Sequence, residues 1–281
     1  MSILLDEILG VDIGGTNIKI GKIVNGKVLQ KCKIPVNRDD LEQVTLDNLY
    51  KGLKDLMTDS VQAIGIGVPA VVDIESGTIF DVQNIPSWTN VALKNLVEEK
   101  FNVPVYINND ANCFAIGEKQ FGKLREFKNC VALSLGTGMG MGIIINEKLY
   151  NGVLCGAGEI GMVPYLDGIL EHYTGSFFFE REYNSSALSL YNEALEGKEN
   201  ALRVFKEYGT HLAEAIKIIL YMYAPEAIIL GGSISNSFQF FEESLKTGLA
   251  SFAYQKQIEN LKIQTSDLVD SPILGAAALC L

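Results

Sequence analysis

The sequence predicts an α/β fold of two domains in which one structural plan is used twice. Residues 8–24 and 131–150 each read as an apolar strand, a glycine turn and a second apolar strand. After each segment, short apolar strands alternate with helical patterns, which implies parallel strands joined by helical crossovers. The chain has 281 residues and is 48% hydrophobic, enough to bury the cores of two domains. The repetition indicates an internal duplication.

The first half of the chain reads as three antiparallel strands followed by alternating helices and strands. Asn25-Gly26 is a strong two-residue hairpin signal, and Ser76-Gly77 marks a second hairpin. Asp39 or Asp40 is the candidate N-cap of the first helix. The pattern predicts strands over 19–24, 27–34, 63–68 and 103–107, and helices over 39–57, 88–101 and 110–121.

The second half repeats this order and adds a helical insert at about 157–223. The pattern predicts strands over 131–135, 141–145, 148–150, 227–230 and 261–265, and helices over 237–250 and 273–280. No low-complexity linker separates the halves, so we place the domain boundary at the helix that begins with Asp110. The predicted domains are 1–112 and 113–270.

The composition excludes several classes of ligand. A net charge of −11 and a pI near 4.8 argue against a sequence-independent nucleic-acid surface, so an anionic ligand must be held by backbone dipoles and a metal ion. The N-terminal MSILLDEIL has no basic segment, and no apolar run reaches the ~18 residues of a membrane span, so we expect neither a signal peptide nor a membrane anchor. The five widely spaced cysteines indicate buried thiols in a reducing cytosol. There is no Cys-x-x-Cys zinc motif.

The glycine turn of residues 136–142 matches neither of the two common nucleotide motifs. The dinucleotide fingerprint needs a helix directly after its glycines, whereas a strand follows here, and the P-loop pattern is absent. Glycines between two strands let phosphate approach the backbone, whose N–H groups can bind its oxygens. They are equally typical of an ordinary hairpin turn. This pattern alone leaves both interpretations open.

Asp110 is the candidate proton acceptor. The chain has only two histidines, so a carboxylate is the better candidate for removing a proton from an alcohol. Asp110 follows the predicted strand 103–107 and begins a helix, at the strand end where open α/β sheets build their sites. The alternative is a helix N-cap, for which aspartate and asparagine are favoured. The residues by themselves favour the cap.

Two motifs resemble those of a known superfamily. Asp12-Ile13-Gly14-Gly15-Thr16 and Leu135-Gly136-Thr137-Gly138 resemble the phosphate-1 and phosphate-2 loops of the actin, hexokinase and Hsp70 superfamily. The stretch 136–161 resembles the signature of its ROK branch, the bacterial sugar kinases and sugar-responsive repressors. The resemblance implies a two-domain actin-like ATPase fold, which is a duplicated ribonuclease H-like fold with an interdomain active-site cleft. It also implies that the C-terminal helix 271–281 packs back on the first domain.

The resemblance assigns roles to individual residues. Asp110, in Asn109-Asp110-Ala111-Asn112, matches the base that accepts the proton of the attacking sugar hydroxyl. A carboxylate beside phosphate is repulsive unless a cation lies between them, so Asp12 implies Mg²⁺ bound through a water. The implied nucleotide and phosphate ligands are Asp12, Gly14, Gly15, Thr16, Gly136, Thr137, Gly138, Gly231 and Gly232. The plainer alternatives are turn-forming threonines and, for Asp12, a polar residue that ties down its own turn.

The implied sugar ligands are Asn84, Asn109, Asp110, Glu159 and Glu171. For the two glutamates the alternative is a solvated helix face, and Trp88 near Asn84 is expected to pack rather than to stack on sugar. The sequence departs from the family pattern at Met162, where histidine is usual, and no cysteine lies between Cys155 and Cys280. We therefore expect no structural zinc. A second departure is Ala70, at a position where the family usually has glycine.

The resemblance favours an ATP- and Mg²⁺-dependent kinase acting on the C6 hydroxyl of an aldohexose, glucokinase-like, without zinc. An N-acetylhexosamine kinase and a non-catalytic sugar sensor are the alternatives. A ROK repressor needs a DNA-reading helix-turn-helix, and only eleven residues precede Asp12. We expect a cytoplasmic homodimer that binds hexose and ATP but neither nucleic acid nor membrane.

Overall fold

The computed structural model describes residues 7–82 and 84–281. Residues 1–6, which include most of the segment for which we expect neither a signal peptide nor a membrane anchor, lie outside the described residues. The strands are β1 (Glu7–Ile13), β2 (Asn17–Val24), β3 (Lys27–Pro35), β4 (Val61–Val68), β5 (Val71–Asp73), β6 (Thr78–Phe80), β7 (Asn90–Val91), β8 (Val105–Asn109), β9 (Cys130–Leu135), β10 (Met139–Ile145), β11 (Lys148–Leu149), β12 (Pro164–Tyr165), β13 (Gly168–Ile169), β14 (Ala227–Gly231) and β15 (Lys262–Thr265). The α-helices are α1 (Glu42–Leu56), α2 (Leu93–Phe101), α3 (Asp110–Gln120), α4 (Glu171–Thr174), α5 (Ser176–Tyr183), α6 (Ala187–Leu195), α7 (Glu199–Tyr223), α8 (Phe238–Leu249), α9 (Gln255–Asn260) and α10 (Ser271–Ala278).

Two five-stranded sheets share one topology. The first has the order β3-β2-β1-β4-β8, and the second has the order β11-β10-β9-β14-β15. In the first sheet β1 is antiparallel to β2 and parallel to β4, and in the second β9 is antiparallel to β10 and parallel to β14. The outer strands β8 and β15 continue the parallel half of each sheet. The predicted internal duplication is confirmed.

The described chain divides into two compact units. The first unit comprises the chain up to Arg125 together with Leu149–Ala157 and Asp267–Leu281, and the second comprises Glu126–Lys148 and Gly158–Ser266. The predicted boundary after residue 112 falls inside α3, and the first unit continues beyond it because α3 packs against α10. A Cβ placed on Gly117 of α3 would lie 2.7 Å from the Cα of Gly275 in α10, so only glycine allows this approach.

The two units have different cores. Aliphatic side chains from β1, β2, β4 and α1 dominate the first, together with the fully buried Trp88. The second contains a group of buried aromatic rings between α5, α7 and α8: Phe178, Phe179, Phe205, Tyr208 and Phe241. The predicted insert contains α4 to α7. No helix in the described part of the chain combines the length and apolar character needed to cross a bilayer.

Two predicted helices begin later than expected. The helix predicted from residue 39 begins at Glu42, and its N-cap residue is Leu41 without a capping side chain. Asp40 is not the cap because its carboxylate accepts a hydrogen bond from Asn37 N, at 3.3 Å, in the preceding turn. The helix predicted from Trp88 begins at Leu93, because β7 pairs with β6. Trp88 is buried in the turn before β7 and donates to the carbonyl of Glu42 at 3.4 Å, so it packs as expected.

Candidate active site

The strand β8 runs directly into α3, and this junction carries the candidate base. The side chain of Asn109 accepts a hydrogen bond from Ala111 N at 2.9 Å, so Asn109 is the N-cap of α3. Asp110 is the first helical residue, its Oδ1 also accepts from Ala111 N at 2.9 Å, and it is exposed. The alternative role of N-cap therefore belongs to Asn109. Asp110 presents a carboxylate at the carboxyl end of a parallel strand, where a substrate can reach it.

The sheet register brings Asp12 and Asp110 to the same edge of the first unit. Asp12 on β1 pairs with Gly67 on β4, and Gly67 pairs with Asn108 on β8. Burial raises the pKa of the Cys113 thiol well above its ordinary value, and the carboxylates of Asp110 and Asp12 raise it further. Both carboxylates thus lie near one buried thiol. The structure brings the predicted base and the predicted magnesium ligand together.

The first glycine turn joins β1 to β2. Gly14 N donates to Asn17 O at 2.9 Å and closes the turn. The N–H groups of Gly15 and Thr16 donate to no acceptor within the described residues. Adjacent backbone N–H groups that are not used by the protein can bind an anion. The geometry therefore suits the predicted contact with phosphate.

The predicted sugar ligand Asn84 packs on this turn. A Cβ placed on Gly15 would lie 2.5 Å from the Cβ of Asn84 and 2.9 Å from its Nδ2, so a larger residue at position 15 would displace Asn84. Asn109 donates from Nδ2 to the carbonyl of Ala70 at 3.4 Å. The departure at residue 70 therefore sits beside another predicted sugar ligand. Within the first unit, all the predicted ligands lie at or beside the β1–β2 turn and the junction of β8 and α3.

Lys19 was missed by the sequence argument. Its Nζ lies 3.0 Å from Oδ2 of Asp12, in an ion pair whose lysine is 47% exposed and whose aspartate is 14% exposed. The two residues are directly opposite each other in the β1–β2 pairing. Hairpin register is the signal that would have found this pair, because the turn places residues 13 and 18 opposite each other and thereby aligns residues 12 and 19.

The second glycine turn joins β9 to β10. Gly136 N donates to Gly138 O at 3.0 Å, and Ser176 N, at the start of α5, donates to Gly136 O at 2.8 Å. Among the described residues, no acceptor lies within hydrogen-bond reach of the N–H of Thr137 or Gly138. Like the first turn, this turn therefore has two adjacent backbone N–H groups available for an anion. Ser176 is a supporting residue that no motif indicated, because it acts through its backbone.

Glu171 joins the second turn to the predicted sugar-binding motif. Its Oε2 accepts a hydrogen bond from Met139 N at 2.9 Å, and a Cβ on Gly138 would overlap the carboxylate. A Cβ on Gly161 would lie 3.3 Å from the Cβ of Glu171. The alternative of a solvated helix face is wrong for Glu171. Glu159 is exposed and precedes a 3₁₀ turn that ends at Met162.

The predicted adenosine loop lies beside the second turn. Gly231 ends β14 and pairs with Ser134 on β9. Gly232 follows with a φ of +81°, and a Cβ there would lie 2.7 Å from Leu135 N. A 3₁₀ turn, Ser233–Ser237, leads from this glycine into α8. Within the second unit, the two glycine-rich loops are therefore neighbours.

The donor set at Asp12 suits Mg²⁺ brought in by phosphate. No group of three or more His, Cys, Asp or Glu side chains able to hold a metal was found in residues 7–82 and 84–281. Mg²⁺ needs no such group, because it is usually held by one or two carboxylates, waters and substrate phosphates. One carboxylate beside available N–H groups fits this mode of binding. Lys19 shares that carboxylate and would have to accommodate the ion.

The comparisons with known proteins identify the family. Residues 8–281 match the model described as "ROK family". The chain belongs to the ROK family. Among its relatives, the xylose repressor of Caldicellulosiruptor bescii is 29% identical over 97% of this chain and 77% of its own. The glucokinase of Thermotoga maritima is 28% identical over 97% of this chain and 96% of its own.

Solved structures identify the fold. The crystal structure of a ROK family glucokinase from Streptomyces griseus, in complex with glucose and AMPPNP, matches with a TM-score of 0.82. It is 24% identical, and the match covers 97% of this chain and 98% of that one, a likeness that shows the fold. The predicted actin-like ATPase fold is confirmed. The relatives of this ROK protein include both sugar kinases and repressors.

Proposed function

We propose that this ROK protein is an ATP-dependent sugar kinase that phosphorylates the C6 hydroxyl of an aldohexose. The position of Asp110 is the observation that supports the proposal most strongly. Its carboxylate is exposed at the start of α3, at the same sheet edge as Asp12 and the first glycine turn. A sensor that only binds sugar needs no proton acceptor in this place, whereas an attacking hydroxyl does.

In the proposed reaction each element does one task. Asp110 accepts the proton of the sugar hydroxyl while the Asn109 cap fixes the backbone that carries Asp110. The available N–H groups of the two glycine turns bind phosphate oxygens. Asp12 would hold Mg²⁺ through a water, and the bound ion would neutralise charge on the phosphates. Phosphoryl transfer depends mainly on such positioning and electrostatic stabilisation, so this set of groups is sufficient in kind.

The sugar is proposed to be held by Asn84, Asn109, Glu159 and Glu171. Amide and carboxylate groups suit vicinal hydroxyls, because a wrong epimer leaves a polar group unpaired. Met162, which is 59% exposed, stands where the family usually has histidine. A thioether is a poor acceptor, and losing one hydrogen bond to an uncharged hydroxyl costs about 0.5–1.5 kcal/mol. We therefore propose relaxed discrimination at C2, with glucose, mannose and an N-acetylhexosamine all accepted, and with Met162→His sharpening the choice.

The proposal includes ATP and Mg²⁺ as cofactors, no structural zinc, a homodimer and a cytoplasmic location. The Streptomyces griseus glucokinase, whose structure holds the nucleotide AMPPNP, supports the use of ATP. Elemental analysis of protein purified without added metal should find no stoichiometric zinc. Sedimentation velocity should give twice the 30.7 kDa mass of one chain.

A second candidate is a sugar sensor without catalysis. The xylose repressors among the relatives favour it. It is the weaker candidate because Asp12, Asp110 and both glycine turns are all present. A protein that only senses sugar transfers no phosphoryl group and would need none of them for that purpose.

A coupled ADP-release assay over glucose, mannose, N-acetylglucosamine, N-acetylmannosamine and xylose tests the proposal. Turnover with at least one of the sugars that carry a C6 hydroxyl, and none with xylopyranose, which lacks it, is the expected result. Mass spectrometry of the product should show one added phosphate, and proton–phosphorus NMR should place it at C6. Binding of sugar by calorimetry without turnover for any member of the panel would instead establish the sensor.

A further inference from the structure

A buried asparagine lies directly before the catalytic motif. Asn108, on β8, is 4% exposed, and its Oδ1 accepts hydrogen bonds from three donors. These are Asn109 N at 2.8 Å, Asn112 Nδ2 at 2.9 Å and Cys155 Sγ at 3.2 Å. One amide oxygen thus ties together the strand end, the first turn of α3 and a residue from elsewhere in the chain. Such buried polar groups define one geometry when their partners are all in place.

The other end of the same amide reaches the same distant segment. Asn108 Nδ2 donates to Oδ1 of Asn151 at 2.9 Å. Asn112 Nδ2 also approaches this oxygen, at 3.5 Å. Asn151 and Cys155 both belong to the segment Leu149–Ala157, which is part of the first unit although the chain before and after it belongs to the second. Both the nitrogen and the oxygen of the Asn108 amide therefore bond to this segment.

The segment has a backbone that needs support. Gly152, Leu154 and Cys155 all have positive φ, at +65°, +53° and +58°. The left-handed region is unfavourable for residues with a Cβ, so leucine and cysteine keep it only where the surroundings hold them. The bond from Cys155 to Asn108 and the bond from Ala157 N to the carbonyl of Asn151, at 3.1 Å, supply such support.

This arrangement holds the chain on both sides of Asp110. Asn109 N and the first turn of α3 are fixed by bonds to Asn108, and Asp110 lies between the two points of attachment, residues 109 and 112. A group that takes a proton must be held within hydrogen-bond reach of it, and small displacements cost much of the rate.

We infer that Asn108, Asn151 and Cys155 form a polar clamp that positions the Asp110 carboxylate for catalysis, so that Asn108 is a positioning residue of the proposed kinase. The inference rests on the proposed function. It assigns to the segment Leu149–Ala157 a role in turnover that its sequence, distant from the catalytic motif, does not indicate.

Asn151→Ala is the main test, because it removes the acceptor while the backbone bond from Ala157 survives. Asn151 is only half-buried, so the variant should fold. We expect kcat to fall about tenfold, with the KM values for sugar and ATP unchanged within about twofold, because positioning acts on the transition state. Val153→Ala is the matched control in the same segment, since Val153 is 85% exposed. Wild-type kcat in Asn151→Ala would overturn the clamp.

A pair of substitutions at Cys155 separates positioning from packing. Cys155→Ser keeps a donor for Asn108 Oδ1, whereas Cys155→Ala removes it, and both remove the sulfur volume. The clamp predicts a lower kcat for the alanine variant and near wild-type kcat for the serine variant. Equal activity of the two variants would show that only packing matters and would contradict the clamp.

Amide hydrogen exchange distinguishes failure of the clamp from failure of the kinase proposal. Ala111 N donates to the side chains of Asn109 and Asp110, so its exchange reports the order of the helix start. Exchange at Ala111 should be faster in Asn151→Ala than in the wild type. If the wild type phosphorylates no sugar, the kinase proposal fails by itself, and unchanged exchange at Ala111 would then still overturn the clamp.

Discussion

The two glycine turns have the same hydrogen-bond pattern but differ in the side-chain atoms that pack against them. In each turn the first glycine donates within the turn and two N–H groups remain available within the described residues. In each turn, the side chain of a predicted sugar ligand also packs against a glycine. On Gly15 the neighbour is the stem of Asn84, its Cβ and Cγ, whereas on Gly138 it is the far end of Glu171.

The comparison separates two possible requirements for glycine, the protein's own packing and the proposed approach of phosphate. At Gly15 and Gly138 the space of a Cβ is taken by protein atoms, so the glycine is needed even without a ligand. At Gly136 a Cβ would meet no atom within 4 Å. Substitution at Gly136 therefore tests the approach of phosphate alone, while substitution at the other two also tests the protein's own packing.

The largest expected effect concerns Asp110, the candidate proton acceptor in the first region. Asp110→Asn keeps the shape of the side chain and loses the proton acceptor, so kcat should fall roughly 10²- to 10⁴-fold. Calorimetry should show that glucose still binds. Glu171→Gln, in the second region, is the comparison and should cost less in kcat. Near-normal turnover of folded Asp110→Asn would remove Asp110 from the mechanism.

Gly136→Ala gives the clean test of the second turn. The methyl group meets no protein atom, so thermal stability should stay close to that of the wild type. A methyl group that intrudes on bound phosphate should weaken the binding of ATP about tenfold, which corresponds to about 1.4 kcal/mol. Calorimetry with AMPPNP measures this. An unchanged affinity would mean that phosphate does not approach Gly136.

Gly15→Ala and Gly138→Ala sharpen the difference between the two turns. At Gly15 the new methyl group would meet the Asn84 stem, which can move only with its backbone, so the KM for sugar should rise several-fold and stability should fall. At Gly138 the Glu171 carboxylate can swing away after losing its bond to Met139 N, so stability should fall less. Michaelis constants and melting temperatures of both variants check this order. The reverse order in stability would contradict the comparison.

Between pH 7 and pH 5, acid should act on the second unit more than on the first, because His211 belongs to the second unit. Burial lowers the pKa of His211 from its ordinary 6.5, although Glu207 and Glu182 oppose this. The unfolded chain then binds a proton more readily, so the stability contributed by neutral His211 is complete above about pH 6.5 and is lost as the pH falls toward the folded-state pKa.

The melting temperature should therefore decline from pH 7 to pH 5, and the decline should be shallower in His211→Gln. His172→Gln is the control that keeps His211. Hydrogen exchange should locate the loss in α7, which carries His211, before α1. A decline as steep in His211→Gln as in the wild type would assign the effect to other groups.

Lys19→Met should have the smallest effect, and it acts only on the first turn. The ion pair with Asp12 is partly exposed, so its loss should change stability by only about 0–1 kcal/mol. If Lys19 helps to balance charge where phosphate and Asp12 meet, the KM for ATP should rise about threefold, with kcat unchanged. Lys33→Met, directly opposite Lys19 on β3, is the control. Equal effects of the two substitutions would exclude a role specific to Asp12.

Much of the fold and part of the site could be predicted from the sequence, because they depend on local patterns. The strand–glycine turn–strand segments and the entry of β8 into α3 at Asp110 follow from apolar periodicity and turn residues. Where the prediction was wrong, a distant partner prevailed. α2 begins at Leu93 rather than at Trp88, because β7 forms only when β6 is beside it.

The sequence by itself determined which residues are the candidates for chemistry, and the tertiary structure decided what holds them. Asp12, Asn84, Asp110 and Glu171 stand out as residue types in short motifs. The hydrogen bonds that hold these residues do not stand out. Glu171 bonds to Met139 N, 32 positions away in the chain, and Asn108 bonds to Asn151, 43 positions away. These bonds form between segments that come together only when the sheets and helices pack, and no local pattern encodes such a meeting.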